Sequence, residues 1–99
     1  MYLMTARIWI DQMREEGKLA GMDEAAVEAL ASEYAGKLEE FFNAEVARQL
    51  EIYGKLEEYE RMLLYDTQYM SKYLNQTIPG FPAFRMEIFA RAKKAIAGL

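Results

Sequence analysis

Apolar side chains recur at intervals of three and four residues along most of the chain, which places them on one face of an α-helix. The first such stripe consists of Leu3, Ala6, Ile10 and Met13, broadened by Tyr2, Met4, Ile8 and Trp9. Gly17 follows this stripe, and glycine readily adopts the left-handed conformation in which many helices end. The pattern therefore predicts a first helix over residues 3–16 that is buried on more than one side.

The second segment carries the longest apolar stripe. Asp23 is a good N-cap residue, and no stop signal follows it until Gly54. The stripe consists of Val27, Leu30, Tyr34, Leu38, Phe41, Phe42, Val46, Leu50 and Tyr53. A helix of about thirty residues is ~45 Å long, whereas a compact chain of this length has a diameter of roughly 33 Å. We therefore expect this helix either to kink, at Gly36 or near Asn43, or to need a partner over its overhang, and a second copy of the chain is the simplest partner.

Shorter stripes predict three further helices, at about Lys55–Leu64, Thr67–Asn75 and Pro82–Ala97. Asp66 is placed to cap the fourth helix, so we expect a break at Tyr65-Asp66 rather than one continuous rod. Pro79-Gly80 is a turn signal within the loop between the last two helices. No segment shows the strict alternation of a half-buried strand. The chain, residues 1–99, is thus predicted to form a single all-α domain, a bundle of four to five helices with one long second helix.

The order of these features from Gly17 onward, a span of about 80 residues, resembles a family of small helical bacterial proteins. That family is classed as a domain of unknown function and is common in candidate-phyla bacteria. The most distinctive part is the segment Leu74-Asn75-Gln76-Thr77-Ile78-Pro79, which stands directly before the basic last helix. The chain departs from the family at Tyr53-Gly54-Lys55, where the family has a break rich in Ser and Asp. The resemblance implies an all-helical fold and no particular activity.

The composition removes most catalytic chemistry. The chain has no cysteine and no histidine, which excludes disulfides, thiolate nucleophiles, zinc fingers and the usual general base near neutral pH. The remaining candidate metal ligands are carboxylates: Glu39, Glu40, Glu57, Glu58, Glu60 and Asp66. Because di-iron bundles also need Glu-x-x-His motifs, we interpret these carboxylates as solvated helix surface. We expect a protein that is not an enzyme, with no catalytic residue, no metal and no cofactor.

The net charge of −4 hides an uneven distribution. Residues 23–66 hold twelve acidic and four basic side chains, net −8, and residues 67–99 hold one acidic and five basic, net +4. The basic last helix can pack beside the acidic second one, or the acidic surface can recognise a basic partner. In the second case the chain resembles, by analogy, phage-type acidic inhibitors of nucleic-acid-binding enzymes. The cations are too few to predict direct nucleic-acid binding.

Aromatic residues supply the candidate interface, because Tyr and Trp are enriched where proteins meet. The candidates are Trp9, Tyr59, Tyr65, Tyr69, Tyr73 and Phe81. Two other roles are open for these residues. They can form the rim of the core with their hydroxyls in water, or they can belong to a Met-lined pocket for a small apolar ligand. Together with the long second helix, they favour a small protein-interaction module that self-associates as a homo-oligomer. The inhibitor and the apolar-ligand binder are the alternative functions.

No stretch approaches the ~20 consecutive apolar residues that a membrane span needs. The first ten residues also lack the charged, apolar and small-residue regions of a secretory signal. The sequence therefore predicts a cytoplasmic protein that makes no contact with membranes.

Overall fold

In a computed structural model, which describes residues 2–99, the chain forms five α-helices. Their bounds are α1 (Leu3–Glu15), α2 (Glu24–Ile52), α3 (Leu56–Tyr65), α4 (Met70–Thr77) and α5 (Phe81–Ala92). A 3-10 turn, Thr67–Tyr69, precedes α4, and a π-helical turn, Lys93–Ala97, continues α5. No strand occurs within residues 2–99. The predicted all-α bundle with a long second helix is therefore confirmed.

The helix ends follow local signals in the sequence. The side chain of Asp23 accepts a hydrogen bond of 2.8 Å from the backbone N–H of Ala26, which satisfies one of the unpaired donors at the start of α2. The helix is interrupted at Asp66, between α3 and α4, as expected. The Asp66 carboxylate accepts a hydrogen bond of 3.1 Å from the N–H of Gln68. Gly54 adopts a φ of +68°, which lets the backbone turn away after α2.

Of the two alternatives for α2, a kink or a partner over its overhang, the first has no helix break to support it, since Gly36 and Asn43 both lie inside one uninterrupted helix of 29 residues. Such a helix is about 43 Å long. The molecule measures 48 × 24 × 17 Å, so α2 spans nearly its whole length and leaves no room for a sharp bend. The radius of gyration of 15.7 Å exceeds the roughly 12.6 Å of a compact chain of this length. The diameter of roughly 33 Å expected for a chain of this length applies to a spherical molecule. This molecule is elongated, so a long straight helix fits within it.

Both ends of α2 are covered by the chain itself. At the N-terminal end, Ile10 of α1 packs with Val27 and Ala31 in a small buried cluster. Two ion pairs join the same helices, Arg7 to Glu28 at 2.9 Å and Arg14 to Glu24 at 3.3 Å. At the C-terminal end, Leu50 of α2 lies in a buried cluster with Tyr59 of α3 and Tyr73 of α4. In this structure, therefore, a second molecule is not needed to cover an overhang of α2.

The buried face of α2 turns around the helix axis. The buried residues recur mostly four apart: Val27, Ala31, Leu38, Phe42, Val46 and Leu50. Each residue advances 100° around an α-helix, so a step of four rotates the position by about 40°. Between Val27 and Leu50 the buried face consequently turns by about 140°. This rotation places α1 and α3 on different sides of α2.

The last helix lies against the middle of α2, where Arg91 forms an ion pair with Glu45 at 3.2 Å. The basic end of the chain therefore does pack beside its acidic middle, as one of the two charge interpretations predicts. The aromatic rings of Tyr2, Phe42 and Phe89 meet nearby at centroid distances of 5.9–6.2 Å. No buried side-chain nitrogen or oxygen of residues 2–99 lacks a hydrogen-bond partner.

Candidate functional site

The six candidate interface residues lie in different environments. Four of them contribute to the core clusters: Trp9, Tyr59, Tyr73 and Phe81. Tyr69 is half-buried, and Tyr65 exposes 88% of its surface. The break at Asp66 also separates Tyr65, the last residue of α3, from Tyr69 and Tyr73, which follow it along the chain. The structure thus brings Tyr59 and Tyr73 together, with ring centroids 5.7 Å apart, but does not gather the six on one surface.

Two tyrosine hydroxyls at the edge of this cluster have partners within the chain. The Tyr73 hydroxyl donates to the carbonyl oxygen of Lys55 at 3.5 Å, which ties α4 to the start of α3. The Tyr69 hydroxyl donates to the side-chain oxygen of Gln76 at 3.0 Å. These contacts fit the alternative role given above, in which the tyrosines form the rim of the core and their hydroxyls are hydrogen-bonded.

A groove of about 700 Å³ runs along one face of α2. Its floor consists mostly of small side chains, with one larger residue, Glu39, among them: Ser32, Ala35, Gly36, Glu39, Asn43 and Ala47. Tyr2 and Leu3 at the start of α1 form one wall, and Leu56 and Leu63 of α3 form the other. We call this surface the α2 groove. It lies open because α1 and α3 cover different sides of α2.

The floor of the α2 groove follows a regular spacing. Positions 32, 36, 39, 43 and 47 line it at intervals of four, three, four and four residues, which keeps them on one face of the helix. The set spans about 22 Å, or four helical turns. A Cβ atom added at Gly36 would meet nothing within 4 Å. The groove therefore has room for another backbone to approach α2 closely at its centre.

Polar groups lie along the same groove. Glu39 and Glu60 line it beside the phenols of Tyr2 and Tyr59. Burial raises the pKa of Tyr2, the carboxylate of Glu39 raises it further, and the guanidinium of Arg85 acts in the opposite direction. Burial also raises the pKa of Tyr59, with a further contribution from Tyr2. Deprotonation of either phenol is thus disfavoured, and the carboxylates give the groove an acidic character.

A second surface depression of about 480 Å³ lies between α4 and α5. Its apolar lining consists of Tyr2, Phe42, Met70, Leu74, Phe81, Pro82 and Met86. Ser71, Asn75 and Arg85 complete it. We call this surface the α4–α5 cleft. It meets the α2 groove at Tyr2 and Met70, which line both.

Arg85 is the one charged residue that lines the α4–α5 cleft. Its guanidinium carbon stands 4.5 Å from the centroid of the Phe89 ring, a cation–π contact that orients the side chain. Within residues 2–99, no carboxylate forms an ion pair with Arg85, Lys93 or Lys94 at 4.0 Å or less. These three cations on and after α5 are available to an external anion.

Other exposed apolar side chains lie at several places on the helices. Met4 and Ile8 are one turn apart on α1, Ile52 lies at the end of α2, and Leu64 lies at the end of α3. Single exposed apolar residues are normal on soluble proteins and do not by themselves mark a site. Met86 differs from them, because it is 72% exposed and also lines the α4–α5 cleft.

Within the part of the chain that the structure describes, no three acidic side chains cluster so that they could hold a metal ion. None of the described helices has an apolar stretch of the length and hydropathy needed to cross a membrane. The α2 groove and the α4–α5 cleft present apolar side chains together with carboxylates in the first and one guanidinium in the second.

Comparison with protein-family models, with curated proteins and with solved structures found no match to this chain. The resemblance to a bacterial domain of unknown function, based on the order of its helices, stays a prediction.

Sequence reasoning missed both grooves, although part of the signal was present. The small residues Ser32, Gly36 and Ala47 stand on one face of the predicted second helix, together with Asn43. Their spacing is visible in the sequence, but a glycine inside a helix also predicts a kink, which is the interpretation given to Gly36 above. The walls come from α1, α3, α4 and α5, and their placement depends on tertiary packing.

Proposed function

We propose that this chain is a small helical interaction module that self-associates through the α2 groove. The observation that carries the proposal is the open row of positions 32–47, flanked by apolar walls and free of any side chain above Gly36. Small residues on a helix surface let a second helix approach closely, at the interaxial distances of about 8–10 Å found in helix packing. A second helix of about four turns would match the length of this row.

The charges favour a second copy of the chain as the occupant. Glu39 and Glu60 in the groove form no ion pair at 4.0 Å or less within residues 2–99. The end of the same chain offers Lys93 and Lys94, which are also unpaired. One molecule therefore carries both halves of a complementary contact, and in a two-fold symmetric dimer this contact is made twice.

Gly36→Leu tests the proposal, because its effects on folding and on association should have opposite signs. Gly36 has ordinary helical geometry and open space around it, so leucine should stabilise the helix by about 0.5–1 kcal/mol. The same side chain fills the groove and should abolish dimer formation. Ala44→Leu, at an exposed position of α2 outside the groove, is the matched control and should dimerise like the parent protein.

Light scattering and sedimentation equilibrium over a wide concentration range measure the association. We expect a reversible monomer–dimer equilibrium that weakens with added salt, since charges contribute to it. A parent protein that stays monomeric at every concentration, or a Gly36→Leu variant that dimerises normally, contradicts self-association through this groove. A monomer that instead binds a basic partner helix in the groove supports the alternative of an acidic inhibitor.

The proposed role requires no catalytic group and no cofactor, and we propose that the chain is not an enzyme. The absence of histidine and cysteine from the sequence supports this proposal. We also propose a cytoplasmic location, which the sequence features described above favour.

A further inference from the structure

We propose that the α4–α5 cleft binds a single-chain anionic amphiphile, such as a medium-chain carboxylate, with its tail in the cleft and its head group on Arg85. This site is distinct from the contact proposed for self-association, although Tyr2 and Met70 border both surfaces.

The lining of the cleft suits an apolar tail. Its volume of about 480 Å³ falls within the roughly 300–1,000 Å³ typical of small-molecule sites. Phe42 and Phe81 form a firm aromatic base, since both are buried in the core. Met70 and Met86 stand at its sides, and methionine side chains adapt to a flexible ligand. Because Met86 is 72% exposed in the free protein, a bound tail would cover apolar surface that now faces water.

The charge of the cleft selects the head group. Arg85 is the one charged lining residue, and within residues 2–99 it has no carboxylate partner at 4.0 Å or less. Its stacking on Phe89 at 4.5 Å holds the guanidinium in place without occupying its donors. A planar guanidinium matches a carboxylate through two parallel hydrogen bonds. An anionic head is therefore favoured, whereas a cationic head would meet Arg85 without any compensating carboxylate in the lining.

Methionine-methyl NMR with laurate as the probe tests the proposal and locates the ligand. The methyl signals of Met70 and Met86 should shift on titration, whereas those of Met4 and Met22, which lie outside the cleft, should not. Shortening the chain should weaken binding by about fourfold for each CH₂ removed. Dodecanol should bind more weakly than laurate, and dodecylammonium more weakly still. Laurate binding without shifts at Met70 and Met86, or with no preference for the anion, overturns the proposal.

Two pairs of variants separate the head group from the tail. Arg85→Gln should weaken laurate binding by about tenfold or more. Arg61→Gln should leave it unchanged, because Arg61 lies outside the cleft and, like Arg85, forms no ion pair at 4.0 Å or less within residues 2–99. Met86→Glu places a repelling carboxylate at the rim and should abolish binding. Met4→Glu, at a site 75% exposed outside the cleft, should have no effect. Equal affinities within either pair refute the assignment.

Two further measurements distinguish this site from its alternatives. Vesicles of phosphatidylglycerol present anionic head groups as a membrane surface; shifts with vesicles but not with free laurate would overturn the proposal in favour of a membrane contact. Gly36→Leu should bind laurate with the parent affinity, because Gly36 does not line the cleft. Loss of laurate binding together with loss of dimerisation in this variant would show that the cleft is not an independent site.

Discussion

Leu50→Ala tests whether the C-terminal end of α2 is covered by the chain itself. Leu50 has no exposed surface, and its cluster includes Tyr59 of α3 and Tyr73 of α4. Truncating a fully buried leucine removes apolar burial and leaves a cavity, at a cost of about 2.7–5.0 kcal/mol. Since a domain of this size has a total unfolding free energy of roughly 5–15 kcal/mol, the variant should lose a large share of its stability. If the end of α2 projected into solvent, the same change would cost almost nothing.

Urea unfolding followed by far-UV circular dichroism measures this cost, at a low and at a high protein concentration. Ile52→Ala, two residues along the same helix and at a position 71% exposed, is the control and should change stability by less than about 0.5 kcal/mol. A loss below about 1 kcal/mol for Leu50→Ala would refute the packing described here. A loss that appears only at high protein concentration would show that a second molecule, rather than α3 and α4, covers this end.

Three further predictions concern the helix caps and the buried phenols. Asp23→Ala removes the cap of α2 and should destabilise the protein by about 1 kcal/mol in urea unfolding, whereas Asp23→Asn should retain most of the stability. Gly36→Ala should stabilise the protein by up to about 1 kcal/mol, but Gly54→Ala should destabilise it by about 1–2 kcal/mol because alanine is strained at a φ of +68°; thermal unfolding of the two variants should show opposite shifts. Burial raises the pKa of Tyr2 and of Tyr59 above the ordinary value of a tyrosine, about 10. Their contribution to stability is therefore fully present below that pH and is lost as the pH rises through the folded-state values. Tyr59→Phe should flatten this alkaline decline, and a decline of equal steepness in the variant would exclude this phenol as its source.

The features that the sequence predicted well are those decided by local chemistry. Asp23 caps α2 and Asp66 interrupts the helix between α3 and α4. In both cases a short acidic side chain accepts a hydrogen bond from a backbone N–H two or three residues later. The end of α2 at Gly54 likewise depends on the conformational freedom of one residue. Such signals do not depend on where the remainder of the chain lies, so they can be recognised without a structure.

The interface candidates could not be placed by the same means. Trp9, Tyr59 and Tyr73 were chosen because large aromatic side chains are common at interfaces, but the same size makes them effective core residues. Their burial depends on which helices lie beside them, and this information is tertiary. Tyr65 illustrates the reverse case, since it lies six residues after the buried Tyr59, about 240° around α3, and therefore faces solvent.

The rotation of the buried face along α2 connects the fold to both proposed functions. If the apolar residues of α2 followed a spacing of 3.6, one side of the helix would be buried throughout, and the other helices could pack in a single compact layer. The steps of four from Leu38 to Leu50 instead carry the buried face around the helix, so α1 and α3 cover different sides. The face between them stays open, and small residues such as Ser32 and Gly36 reduce the apolar surface that it exposes to water. Apolar contact with this open face alone would give little binding energy. Specific association through the α2 groove therefore depends on the apolar side chains of its walls and on the charges of Glu39 and Glu60.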